Sequence, residues 1–238
     1  MRRPIVSEGV SASQMLRIVG LTVAAVVLVG CAGPEHVSFP TQDGGVVHAD
    51  MYGNGDHGVV LAHGGRFNKE SWAKQAQRLA KAGFRALAID FRGRGQSQGG
   101  PQITSPDDVH FDVLAAVRYL HEIGAKTVSV VGGSFGGWAA AQAAVEAKEG
   151  EIDRIVLLAA SAIDEPERLK GRKLFITTRD DFSGRGVLRL PEIRDQFERA
   201  PDPKQLVILE GSAHAQHILE TDQGERLMRE ILRFLSEP

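Results

Sequence analysis

The chain of 238 residues holds a single cysteine. That excludes a disulfide framework and a multi-cysteine zinc site. Aromatic residues are scarce at 6%, with 2 Trp and 2 Tyr. Neither sign of charge dominates: 28 Lys and Arg stand against 30 Asp and Glu, a formal net charge of -2. Such a chain presents no broad phosphate-attracting field, so nucleic acid is not expected as a partner. Internal repeats and low-complexity tracts are also missing. What is present is glycine, 27 residues, within an ordinary balance of 42% hydrophobic and 24% charged residues. That balance excludes a disordered or collagen-like chain. Abundant glycine in a normally hydrophobic sequence points to many tight turns. The length is compatible with one domain.

The N-terminal apolar run, residues 18–30, is shorter than the roughly 17–25 residues that span a bilayer. Arg2, Arg3 and Arg17 precede it, so the segment reads as the basic and apolar regions of an export signal. The run ends in Leu28-Val29-Gly30-Cys31 and resembles a bacterial lipoprotein signal, with the lone cysteine at the position that is lipidated. The resemblance implies a signal peptide over residues 1–30, a lipid anchor on Cys31, a short tether over 31–36 and a folded domain over 37–238. It also implies a membrane-anchored location in the cell envelope. One acyl chain gives only marginal binding, and the lipoprotein modification would supply several. The competing reading is an uncleaved anchor that Pro34 stops.

Beyond that point β-prone and helical segments alternate. Residues 37–40 and 46–52 flank Asp43-Gly44, a hairpin signal. Short apolar runs at 58–62, 84–90, 126–131, 155–159, 173–177 and 205–209 read as strands buried on both faces. Helices are expected from a cap at Ser71 to residue 82, from a cap at Ser105 to Gly124, and over 136–147, 191–200 and 223–235. The pattern predicts an α/β fold: a mostly parallel central sheet of about eight strands with helices on both faces, and an antiparallel hairpin at one edge.

The segment Gly132-Gly133-Ser134-Phe135-Gly136 fits G-x-S-x-G and falls between a predicted strand and a predicted helix. That context projects a serine hydroxyl from a sharp turn above the sheet. A structural glycine-rich turn is the bland alternative. A phosphate loop is excluded because its Lys and Ser/Thr are missing. A serine nucleophile needs a base, and the base needs an orienting acid. The base candidate is His214, after the last strand, with His217 as competitor. The acid candidate is Asp181, just past the strand before it, with Asp180 as rival.

With these residues in place the chain resembles the α/β-hydrolase superfamily. The order Ser134, Asp181, His214 is that family's nucleophile, acid, base order. His63-Gly64-Gly65 matches its oxyanion loop. Asp90-Phe91-Arg92-Gly93-Arg94-Gly95-Gln96-Ser97 matches its D-x-R-G-x-G-x-S loop, and Gly211 to His214 its G-x-x-H. The likeness covers about residues 37 to 236. It implies Ser134 as nucleophile, His214 as general base and then acid, and Asp181 as the group that holds the imidazole. The oxyanion donors would be the backbone N–H groups of Phe135 and Gly65, with Arg66 competing for the second place. His63 and Arg92 read as loop braces.

Serine at the nucleophile position separates this chain from relatives that use aspartate or cysteine there. It points to acyl transfer to water: a serine hydrolase cleaving a carboxylic ester, or a related thioester or amide, in a small-molecule acyl substrate. A peptidase or acyltransferase would use the same residues. A catalytically silent protein of the same fold, binding an envelope ligand, is the alternative from another class. The stretch 160–172 is too short for a lid domain, so an open site is expected. Phe67, Phe135, Trp138 and Phe182 are candidates to line an acyl pocket, although Trp138 reads equally well as core. No cofactor motif and no metal-ligand pattern is visible.

Overall fold

The computed structural model describes residues 33–101, 108–160 and 162–237. Cys31, the leader and Ser105 lie outside them. Eight strands form one sheet in the order β1-β2-β4-β3-β5-β6-β7-β8. These are β1 (Glu35–Pro40), β2 (Val46–Tyr52), β3 (His57–Ala62), β4 (Arg85–Ile89), β5 (Thr127–Gly133), β6 (Arg154–Leu158), β7 (Arg172–Thr178) and β8 (Lys204–Leu209). β1 and β2 pair antiparallel, as do β2 and β4, and every pair from β4 to β8 is parallel. The helices are α1 (Ala73–Lys81), α2 (His110–Glu122), α3 (Phe135–Glu146), α4 (Leu190–Arg199) and α5 (Gly224–Ser236).

Strand alternation divides the core into two layers. In β3, Val60 and Ala62 join the layer under α2, α3 and α4, while Val59 and Leu61 join the layer under α1 and α5. β6 repeats this, with Ile155 and Leu157 on one side and Val156 and Leu158 on the other. Both faces are covered, which is why these strands read as unbroken apolar runs.

Because β3 to β8 run the same way, their C-terminal ends share one sheet edge. The chain leaves β3 between two neighbours reached by oppositely directed excursions, β4 on one side and β5 on the other. That is the position where open α/β sheets form a crevice.

Three expectations shift. β1 begins at Glu35, so the last two residues of the expected tether pair with Asp50 and Met51, and the His36 ring bonds Asp50 at 2.7 Å. Ser71 does not cap α1. It lies inside a 3-10 turn, Lys69–Trp72, where its hydroxyl donates to the Asn68 carbonyl at 2.5 Å. Further 3-10 turns at Pro166–Arg168 and Ala215–Glu220 carry no apolar periodicity that the sequence could show. Between β6 and β7 the described residues hold only the first of these, with no lid domain. Among the described residues no helix is long and apolar enough to cross a membrane.

Candidate active site

Ser134 stands between β5 and α3 with φ 52° and ψ -114°, a conformation that side chains rarely adopt. Such strain costs about 1–3 kcal/mol and persists only where the surroundings enforce it. Here they do. The Ser134 N–H is held by the Leu158 carbonyl of β6 at 2.9 Å. Glycine is required on both sides: a side-chain carbon at Gly132 would collide with the Gly136 carbonyl, and one at Gly136 with the Ala62 carbonyl. The turn therefore closes only around hydrogen atoms, and the serine hydroxyl projects past the sheet edge.

The His214 ring is positioned from the end of β8. Its Nε2 lies 2.8 Å from Ser134 Oγ, and its Nδ1 lies 2.6 Å from Asp181 Oδ2. An Nδ1–H facing the carboxylate leaves Nε2 free to accept the serine proton. Asp181 is fully buried, and its Oδ1 faces the Arg189 guanidinium at 3.6 Å. The loops that carry acid and base are joined by one side-chain and one backbone hydrogen bond. Thr178 Oγ1 donates to the Ala213 carbonyl at 2.9 Å, and the Asp180 N–H to the Gly211 carbonyl at 2.9 Å. The rival residues point elsewhere. The Asp180 side chain is exposed, and His217 is exposed with its ring 5.0 Å from that of Phe67.

Across from Ser134 lies the loop after β3. A side-chain carbon at Gly65 would sit 3.7 Å from Phe135 Cβ, so residues 65 and 135 face each other. Among the described residues neither backbone N–H of this pair has a hydrogen-bond acceptor. His63 supports the loop from below. It is buried, its Nδ1 donates to the Gly64 carbonyl at 2.8 Å, and its Nε2 accepts the Phe91 N–H at 3.3 Å. Burial pushes its pKa down, which keeps the ring neutral. Arg92 is enclosed by Asp43 at 2.6 Å and Asp112 at 2.7 Å.

A model of the alpha/beta hydrolase family matches residues 59–232. The chain belongs to the alpha/beta hydrolase family.

Curated relatives within it include the AB hydrolase superfamily protein YisY of Bacillus subtilis, 30% identical over 134 residues, or 54% of this chain and 43% of that protein. A 2-hydroxy-6-oxononadienedioate/2-hydroxy-6-oxononatrienedioate hydrolase of a Pseudomonas species is 29% identical over 122 residues, 50% of this chain and 42% of that one. The chain thus spans less than half the length of the curated relatives it matches. Among solved structures, the Pyrococcus furiosus esterase Pf2001 aligns with a TM-score of 0.68 at 22% identity, covering 85% of this chain and 91% of that one. The esterase EaEST from Exiguobacterium antarcticum aligns with a TM-score of 0.69 at 15% identity, covering 85% and 100%. At such identities the likeness establishes the shared hydrolase fold.

Two features of this site escape sequence reasoning. Gln216, buried in the 3-10 turn two residues after His214, accepts the Gly64 N–H on Oε1 at 2.6 Å and donates from Nε2 to Ser71 Oγ at 2.9 Å. One amide thereby joins the His214 loop, the loop after β3 and the turn before α1. The site is also flanked by two cavities that share Gly65 and Phe135. A small one of about 210 Å3 includes Ser134, Phe67, His214 and His217. A larger one of about 660 Å3 is bounded by Phe91, Arg94, Gln98 and Val109 among others. Of the expected pocket aromatics, Phe67 and Phe135 line these spaces. Phe182 is 56% exposed and lines neither, and Trp138 packs on the core beside Phe135. Among the described residues no group of three or more His, Cys, Asp or Glu side chains gathers as a metal site.

Proposed function

We propose that this hydrolase cleaves a carboxylic ester, or a related acyl bond, by way of an acyl-enzyme on Ser134. The observation that carries the reading is the hydrogen-bonded chain Ser134–His214–Asp181, with links of 2.8 and 2.6 Å. In this reading Ser134 Oγ attacks the acyl carbon as His214 Nε2 takes its proton. The buried Asp181 holds the ring in the tautomer with Nδ1–H and stabilises the imidazolium. The carbonyl oxygen, now negative, sits between the N–H groups of Phe135 and Gly65, each worth about 3 kcal/mol to the transition state. His214 then protonates the leaving alcohol, and the ester bond breaks. Water enters and its oxygen bonds to the acyl carbon as His214 takes a proton from it. His214 then returns that proton to Ser134 Oγ as the acyl–oxygen bond breaks and the acid leaves.

The short β6–β7 connection supports an open site for small or end-exposed acyl groups. Release of 4-nitrophenol from short-chain 4-nitrophenyl esters tests the reading. Activity in the wild type and its loss in Ser134→Ala and His214→Ala is the expected result. A folded wild type with no acyl transfer would favour a silent ligand-binding protein instead.

For the N-terminal segment we propose export and lipid anchoring at Cys31, supported by the basic and apolar order of residues 1–30 and the lone cysteine that ends it. Mass spectrometry of the mature N-terminus after expression in a bacterium tests this. An acylated Cys31 is expected, and a retained residue 1 contradicts it.

A further inference from the structure

The larger cavity has an electrostatic asymmetry that acyl transfer alone does not require. Its lining combines the apolar Phe91, Val109 and Phe135 with two arginines, Arg92 and Arg94. No Asp or Glu lines it among the described residues. The two arginines differ. Arg92 is saturated by Asp43 and Asp112 through four side-chain bonds. Arg94 is exposed and meets no carboxylate within salt-bridge distance among the described residues. It donates from one terminal nitrogen to the Gly65 carbonyl at 2.5 Å, which fixes the guanidinium beside the loop after β3. Gly65 in turn faces Phe135 across the reaction centre. The other guanidinium donors remain for a ligand, and the fork geometry of arginine suits a carboxylate. His63, the third titratable group of the lining, is neutral and adds no competing charge.

We propose that the larger cavity selects ester substrates carrying a terminal carboxylate, seated on Arg94 with the connecting methylenes against Phe91, Val109 and Phe135. This deepens the esterase reading and rests on it. The geometry leaves the carboxylate on the acyl or the alcohol side, and matched substrate pairs separate the two. Monoethyl adipate against ethyl hexanoate places it on the acyl side. The 4-acetoxybutanoate anion against butyl acetate places it on the alcohol side. Acid release is followed in a pH-stat with the wild type, Arg94→Gln and Arg94→Lys.

In at least one pair, the wild type is expected to favour the anionic member, mainly through KM. Arg94→Gln should reduce the anionic-to-neutral ratio of kcat/KM about 10- to 100-fold, the range of a charge-assisted bond. Arg94→Lys should recover part of it. A wild type that prefers the neutral member in both pairs overturns the proposal. So does an Arg94→Gln variant whose two activities fall together at constant ratio, since that would mark Arg94 as a loop brace only. Calorimetric titration of monoethyl adipate and 4-acetoxybutanoate into Ser134→Ala, with and without Arg94→Gln, reads carboxylate binding without turnover. Arg94-dependent binding with no hydrolysis of any ester would refute the esterase reading and leave the anion site standing. Hydrolysis with no Arg94-dependent binding would do the reverse.

Discussion

Replacing Arg92 by methionine keeps an unbranched apolar stem but ends two atoms short of the guanidinium nitrogens, and removes the charge from between two carboxylates. The side chains concerned are nearly enclosed, 7% exposed for Arg92, 8% for Asp43 and 0% for Asp112. The variant loses four charge-assisted bonds and leaves Asp112 buried with only the backbone N–H of residue 92, now at 2.8 Å, as a donor. Breaking a buried ion pair from one side costs about 3–5 kcal/mol, because the remaining charge is uncompensated. Against a total domain stability of about 5–15 kcal/mol, that is a large fraction. With a urea slope of about 2–3 kcal/mol/M, the unfolding midpoint should fall by roughly 1 to 2.5 M. The pH dependence gives a second, sharper check. Burial already pushes the Asp112 carboxyl up, and Arg92 opposes that. Without Arg92 the folded-state value rises further above the unfolded one. The folded variant then binds a proton more strongly than the unfolded chain, so its stability rises as pH falls through that raised value toward the unfolded one. Urea curves at pH 7.5 and pH 5 should therefore show the deficit shrinking on acidification. Asp43, whose carboxyl Arg92 and Thr41 hold low against the opposing effect of burial, contributes stability above its ordinary value of 3.8 and loses it only below. A midpoint shift under about 0.3 M, or a deficit that grows between pH 7.5 and pH 5, would refute the reasoning.

Other consequences are direct. Asp181→Asn should lower kcat by about 10^3- to 10^4-fold by favouring the wrong His214 tautomer, while Asp180→Asn stays within about threefold. Steady-state ester kinetics compares them, and an inverted order would assign the acid to Asp180. Gln216→Leu strands the Gly64 N–H and should cost about 1–3 kcal/mol in urea unfolding. It should also lower kcat more than it raises KM. Gln216→Glu, which keeps an oxygen for Gly64, should restore most of both, and equal losses in the two variants would contradict the role. Burial holds the His63 pKa below its ordinary 6.5, so the unfolded chain takes up the proton first. His63 stability is complete above about 6.5 and is lost as pH falls below it, by at most about 1.4 kcal/mol per pH unit. The slope of unfolding free energy between pH 7 and pH 5 should flatten in His63→Asn, and an unchanged slope would argue against it.

Strands β3 to β7 were legible because each is covered on both faces and so appears as a short apolar run between turn residues. The hairpin was legible because Asp43-Gly44 supplies a turn, with Gly44 at φ 84°. The start of β1 was not, because an edge strand pairs through its backbone and tolerates Glu35 and His36. The Ser71 cap misled because a serine ahead of a helix suits several local bonds. Here the hydroxyl serves Asn68 and Gln216 instead. Ser134 and His214 could be singled out because each follows a strand at the same sheet edge. That Asp181 rather than Asp180 faces His214 follows from loop geometry that no local pattern encodes. The Phe182–Leu188 bridge and the Arg189 N–H bond to the Asp181 carbonyl at 2.9 Å turn residue 181 inward. Gln216 and Arg94 were invisible for the same reason. Their partners lie 152 and 29 residues away in sequence.

The central claim is an activated serine at position 134. Intact-mass analysis after treatment with a fluorophosphonate tests it most directly. The account predicts one adduct per chain, mapped to Ser134 by peptide sequencing, absent in Ser134→Ala and strongly slowed in His214→Ala. A correctly folded wild type that takes up no label, or labels equally well without His214, would contradict it.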